Sequence, residues 1–355
     1  MQTVGSVKDL EVIKKPVPEA AGTGRFHFSD RYSVFDWGEM PDHIEGKGAA
    51  LCLMGAYCFD RIEEKSVRTH YKGLLDQNCK IVAFNDLKAP TSTMEVALVN
   101  VYNPETRVEN GKLEYDYSAY TPSLKNCLIP LEIIYRNGLP EGSSLFKRLE
   151  QGKVTYQELG LDHYPKAGER FEKPIFDVST KLEETDRYVS WEEAAKIASL
   201  TSIDIAAIKV VLAKVNETIN EIAAKAGLVN EDGKIELGFD SQRRLMVLDV
   251  VGTLDECRFT LDGFHVSKEI ARQFYKKTPW YSEIEEAKKT AEAKGIKDWK
   301  SLVKSQPPPL DPQLKAIISE MYKAAANDMT DRRFFDAPKL SETVKKYKDY
   351  MGEKP

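Results

Sequence analysis

The chain is 355 residues long, 42% hydrophobic and 30% charged, which supports a large buried core in one two-lobed domain or in two domains. Its net charge of −5, with no basic stripe, argues against a nucleic-acid partner. The longest apolar stretch, residues 49–59, is too short to span a bilayer, and the N-terminus has no signal-peptide pattern. A cytoplasmic protein without a membrane partner is therefore expected. Five cysteines without a CxxC pair read as reduced thiols, with Cys257 a packed side chain rather than a nucleophile. Five scattered histidines offer no zinc spacing.

The first hundred residues read as β-rich. "GSVKDLEVI" (5–13) offers a glycine turn and a short strand, and "RFHFSDRYSVFD" (25–36) alternates before opening into a loop. Helical sequence starts near Gly46 and Gly48. Residues 94–102 and 126–136 read as strands, with a hairpin insertion between them whose turn is Asn110-Gly111. "YRNGLPEGSSLFKRL" (135–149) predicts a strand ending at Arg136, a Gly-rich loop, and a helix Leu145–Leu149 capped by Ser144. Loop N–H groups beside a guanidinium can bind an anion, and an ordinary strand–turn–helix joint with an exposed Arg is the equal alternative. Residues 173–190 predict a charged loop, in which Ser179, Thr180, Lys181, Glu183 and Asp186 either read a small polar substrate or are merely solvated. A capping box at Ser190–Glu193 opens helical sequence running to Gly227.

"GKIELGFDSQRRLMVLDVVGTLDECRF" (233–259) reads as two strands joined by a turn, with carboxylates set into apolar sequence. A four-residue turn Ser241–Arg244 places Glu236 directly opposite Asp249. Like charges so placed destabilise a strand pair or force one group to take up a proton. A shared Mg²⁺ completed by substrate phosphates, with Lys234 on the same face, reverses that penalty. The alternative is that both side chains splay to solvent, and a one-residue slip of register removes the pairing. Beyond residue 263 the sequence turns charged and helical, interrupted by "QPPPLDP" (306–312), a linker or rigid corner.

In this order the segments resemble the phosphoribosylaminoimidazole-succinocarboxamide synthase (SAICAR synthetase) family. "LIPLEIIYRNGLPEGSSLFKRL" (128–149) is similar to its strand–Arg–loop–Gly-Ser signature, and "DGKIELGFD" (232–240) to its Asp-x-Lys-apolar-Glu-Phe-Gly signature. "PIFDVSTKLEETDRYVS" (174–190) is similar to its substrate loop, "LDVVGTLDECRF" (248–259) to its Asp-Glu…Pro-Asp-x-x-Arg segment, and "GSVKDLEVI" to its N-terminal Gly-Lys-x-Lys strand. The resemblance covers roughly residues 1–265 and implies a two-lobed α+β fold. A small antiparallel β lobe (1–100) and a larger α/β lobe (101–265) would hold ATP in their cleft, followed by a helical C-terminal extension (266–355). It implies an ATP-dependent ligase of purine biosynthesis that joins carboxyaminoimidazole ribonucleotide to L-aspartate, and allows a homo-oligomer.

Carried onto matching positions, the resemblance gives Glu236 and Asp249 to Mg²⁺ and Lys8 and Lys234 to the ATP phosphates. Arg136, Ser144 and Arg258 would hold the ribonucleotide 5′-phosphate, and Lys181 and Asp186 fall in the loop associated with aspartate. Lys234 and Asp255 would stand at the reacting groups. Ser6, Leu237, Val250 and Leu254 depart from the family pattern, replacing Lys, Phe, Glu and Pro, and two extra residues lengthen the Arg136–Ser144 loop. These departures keep open a related ligase or small-molecule kinase with other substrates, and a catalytically silent nucleotide-binding protein.

Overall fold

The computed structural model describes residues 2–109, 112–140 and 142–352, so the expected Asn110-Gly111 turn lies outside the described residues. Two six-stranded antiparallel sheets organise it. The first runs β1 (Gln2–Val4), β2 (Lys8–Lys14), β3 (Gly22–Phe28), β6 (Thr93–Leu98), β4 (Tyr71–Leu75), β5 (Ile81–Val82). The alternation legible in "RFHF" is the burial pattern of β3, which turns Phe26 and Phe28 inward. Helix α1 (Lys47–Glu64) covers this sheet and begins after Gly46, whose φ of 78° suits glycine.

The second sheet runs β10 (Glu169–Thr180), β9 (Cys127–Leu139), β11 (Val229–Phe239), β13 (Cys257–Leu261), β14 (Phe264–His265), with β12 (Leu245–Leu248) also paired to β11. A separate hairpin, β7 (Glu105–Glu109) and β8 (Lys112–Asp116), fills the expected insertion. Helices α2 (Ser144–Glu150), α3 (Trp191–Ile197) and α4 (Ser202–Lys225) follow the strands of this sheet. The tail forms α5 (Glu269–Lys276), α6 (Pro279–Lys294), α7 (Pro312–Thr330) and α8 (Leu340–Tyr350). Helix α7 packs against α1 and α4, and one continuous core runs from Phe26 through Leu53 and Ile219 to Met321 and Val344. The tail is thus wedded to the hydrophobic centre.

Four local expectations are corrected. Residues 190–227 form two helices, because Thr201 and Asp204 make a reciprocal capping box that restarts the helix after a left-handed Ser199. Residues 173–180 are strand, not loop, since β10 pairs with β9 and buries Ile175 and Val178. Ser143, not Ser144, caps α2, its side chain accepting from Leu145 N–H, and β9 continues past Arg136 to Leu139.

The fourth correction is the hairpin register. Asp240 N–H donates to the Arg244 carbonyl (2.9 Å), and the Asp240 carboxylate accepts from Gln242 and Arg244 N–H. Arg243 is left-handed (φ 58°), so the loop holds three residues, not four. Phe239 pairs with Leu245, and Glu236 with Leu248.

Candidate active site

Strand β11 sends Asp232, Lys234 and Glu236 to one face and Ile235, Leu237 and Phe239 to the core. Steps of two residues along a strand are roughly 6.6 Å, so the three charged side chains are spread along the cleft like pegs. Gly233 lies between them because a Cβ there would fall 2.3 Å from the Tyr135 hydroxyl oxygen.

At the Glu236 end, the residue directly across β9 is Glu132. This is the like-charge pair that the sequence placed at Asp249. It is neutralised by Lys181, whose Nζ lies 3.1 Å from Glu132 Oε1 and 2.7 Å from Glu236 Oε1. Lys234 Nζ is 2.7 Å from Glu132 Oε1 and 3.7 Å from Glu256 Oε2. Asp249 still reaches this cluster. A regular strand would turn it to the far side from Leu248, but its left-handed backbone (φ 58°) breaks the alternation, and its carboxylate meets Lys8 Nζ at 2.5 Å. The buried His70 ring, packed against Phe26 and Phe59, fixes that kink through its Nε2, 2.9 Å from the Asp249 carbonyl.

The electrostatics favour a cation here. Burial pushes the Glu236 carboxyl up and the Asp249 charge adds to this, against Lys181 and Lys234. Burial also opposes ionisation of Asp249, but Lys8 outweighs it and holds that carboxyl low. Among the described residues, Glu132, Glu236, Asp249 and Glu256 form their ion pairs with the ammonium groups of Lys8, Lys181 and Lys234. No group of three or more His, Cys, Asp or Glu among the described residues is placed to hold a metal ion; Mg²⁺ usually takes only one or two carboxylates and completes its shell with phosphate and water. Val250, where the family pattern has Glu, is buried against Gly55 of α1 and adds no carboxylate. Beside the charges, Leu128, Met246 and Leu248 form an apolar patch separate from the main core, flanked by Val99 and Leu182.

At the Asp232 end, three guanidinium groups converge. Arg136 is buried, not exposed at a strand end, with Nη2 3.2 Å from both Asp177 Oδ2 and the Tyr188 hydroxyl. Its Nη1 is 3.6 Å from Asp232 Oδ2. Arg258 grips Asp232 with two nitrogens, one at 2.8 Å. Arg148 Nη1 is 2.5 Å from Asp177 Oδ2 and lies over the Tyr188 ring. Ser144, although not the cap, bonds the Tyr188 hydroxyl at 2.9 Å. The structure therefore brings Arg136, Ser144 and Arg258 together, and Lys8, Lys181, Lys234, Glu236 and Asp249 together. Asp186 sits instead with the Glu236 cluster, where burial and then the Glu132 charge push its carboxyl up to about 6.

Asp255 stands apart. Its carboxylate points inward, 2.7 Å from Lys47 Nζ and 2.6 Å from the Tyr322 hydroxyl. Cys257 has no nucleophilic character, since burial pushes its thiol up to about 12. Sequence reasoning missed Glu132, Arg148, Asp177, Tyr188, Asp232, Lys47 and Tyr322. Glu132 and Asp177 carried the available signal, a carboxylate inside an apolar strand, and Asp232 heads the alternating series to Lys234 and Glu236. Nothing local marked Tyr322.

The profile of the SAICAR synthetase family matches residues 16–292. An Archaeoglobus fulgidus protein described as a candidate phosphoribosylaminoimidazole-succinocarboxamide synthase is 48% identical over 348 residues, covering 98% of this chain and 100% of its own. A Saccharomyces cerevisiae SAICAR synthase solved with SAICAR superposes with a TM-score of 0.61 at 19% identity, over 93% of this chain and 94% of its own. A SAICAR synthetase solved with ADP superposes at 0.54 and 19% identity, over 87% of this chain and 100% of its own. At that identity these two speak for the fold. No helix among the described residues is long and apolar enough to cross a membrane.

Proposed function

We propose that this chain, which belongs to the SAICAR synthetase family, joins the carboxylate of carboxyaminoimidazole ribonucleotide to the amino group of L-aspartate, converting ATP to ADP and phosphate. The observation that carries the reading is the pair of charged sites on one face of β11, a guanidinium cluster at Asp232 and an ammonium–carboxylate cluster at Glu236. A ligase that brings a phosphorylated substrate to ATP needs two separated phosphate sites. ADP and SAICAR in the structural neighbours support the same reading.

The ribonucleotide phosphate takes its place among Arg136, Arg258 and Ser144, with Arg148 alongside. Bidentate guanidinium contacts suit phosphate oxygens better than ammonium contacts. The adenine base lies on Leu128, Met246 and Leu248, and Lys8 and Lys234 exchange their carboxylate partners for ATP phosphates. Glu236 and Asp249 would hold Mg²⁺, which would supply neutralisation of the charge that develops on the transferring phosphoryl group.

A substrate carboxylate oxygen attacks the γ-phosphorus, the bond to the bridging oxygen breaks, and ADP departs from an acyl phosphate. The amine of aspartate then attacks the acyl carbon, phosphate leaves, and the nitrogen loses a proton. Lys181 and Asp186 border the amine substrate. The protein orients and neutralises; it needs no nucleophile of its own.

The test is direct. Purified protein with Mg-ATP, carboxyaminoimidazole ribonucleotide and L-aspartate should release ADP and a product of the succinocarboxamide mass. ADP release only with a different amine or acid would replace the substrate assignment, and no ADP with any combination would remove the ligase reading.

A further inference from the structure

The turn Thr253–Glu256 leads into β13, and its neighbouring side chains diverge. Glu256 faces Lys234 (3.7 Å), and Arg258 grips Asp232 (2.8 Å), so this short segment borders both charged sites. Between them Asp255 points the other way, into the protein. Its Oδ2 accepts from Lys47 Nζ (2.7 Å), the first residue of α1, and its Oδ1 accepts from the Tyr322 hydroxyl (2.6 Å). Both donors are fully buried, and the Lys47 ammonium also lies over the Tyr322 ring, 5.4 Å from its centroid. Lys268, at the start of α5, is the other charge that Asp255 feels.

Tyr322 belongs to α7, beyond the segment 16–292 that the family profile matches. Its neighbours on that helix, Ile318, Met321 and Ala325, are apolar and buried, so a phenylalanine would fill the space as well. The hydroxyl is the one polar reason for tyrosine, and a buried hydroxyl is retained where it finds a partner. A buried carboxylate held from two sides by helices that pack on each other has little freedom to rotate.

We propose that Tyr322 is a positioning residue for the ligation: by fixing Asp255 it holds the turn that presents Glu256 and Arg258 to the cleft, which makes α7 part of the catalytic apparatus without touching a substrate. This rests on the ligase reading above. Without the hydroxyl, the Asp255 carboxylate keeps one hydrogen-bond donor among the described residues, Lys47, and swings toward it. Displacements of about 1 Å in groups that orient substrates are enough to lower rates strongly.

The test compares Tyr322→Phe with Ile318→Ala, a cavity variant on the same helix that removes none of these polar groups. Tyr322→Phe should lower kcat about tenfold, the effect of one charge-assisted hydrogen bond, with the KM for ATP within about twofold. Ile318→Ala should lower Tm at least as far and keep wild-type kcat well below its Tm. Wild-type kcat in Tyr322→Phe, or an equal loss in Ile318→Ala, overturns the inference. Amide hydrogen exchange at Glu256 and Cys257, whose N–H groups bond the Thr253 carbonyl, reports on the turn independently of catalysis. It should quicken in Tyr322→Phe alone, and unchanged exchange overturns the positioning role. A wild-type protein that releases no ADP would remove the ligase reading and leave the exchange result to decide the positioning.

Discussion

Glu236 faces Leu248 across the β11–β12 ladder and Glu132 across the β9–β11 ladder, while Asp249, one residue beyond Leu248, reaches Lys8 only because its backbone is left-handed. The metal position proposed for Glu236 and Asp249 therefore depends on a kink rather than on a strand pair.

That arrangement sets the first expectation. Mg-ATP should stabilise the wild type by about 2.7 kcal/mol at a hundredfold excess over its Kd. Glu236→Gln should abolish most of this gain. It should leave the metal-free protein no less stable, since burial and Asp249 already resist a charge there and Lys181 retains Glu132. Thermal melts with and without Mg-ATP decide it, and an undiminished shift in the mutant removes Glu236 from the metal site.

The two phosphate sites should separate in steady-state kinetics. Arg136→Lys and Arg258→Lys should each raise the apparent constant for the ribonucleotide roughly ten- to a hundredfold and barely move that for ATP. Lys8→Ala should do the reverse. The arginines differ in stability: Arg136, whose side chain is 2% exposed and serves Asp177 and Asp232, should lose roughly 1–3 kcal/mol as lysine, and the 19% exposed Arg258 less. A rise confined to ATP in the arginine variants would reverse the site assignment.

Asp204 supplies a pH expectation outside the site. The bond from Arg243, with the N–H and hydroxyl of the Thr201 cap, outweighs burial and lowers its carboxyl to about 2. A depressed carboxyl stabilises above its unfolded value near 3.8 and loses that contribution as pH falls toward 2. Asp204→Ala should therefore cost about 2 kcal/mol at pH 7, and the gap from wild type should narrow below pH 4. Urea melts at pH 7, 4 and 3 measure it, and a gap independent of pH would assign the loss to the helix cap alone.

Local sequence was enough to mark most strands, the helix starts at Gly46 and Ser190 and the chemical types along the cleft, because alternation, capping and glycine turns act over a few residues. Phe26 and Phe28 on β3, Lys234 and Glu236 on one face of β11, and α1 after Gly46 were all legible there. Ordered motifs led to the family as well. Which charges meet was a matter of long-range packing. The hairpin register turned on a three-residue loop closed by Asp240, and a slip of one residue exchanges every cross-strand partner. Arg136 could be taken for an exposed ligand until Asp177 arrived on β10, from sequence that resembled a loop. Tyr322 lies 67 positions from Asp255, and no local pattern brings them together. They meet because α7 buries its apolar face against α1, and the hydroxyl comes with it.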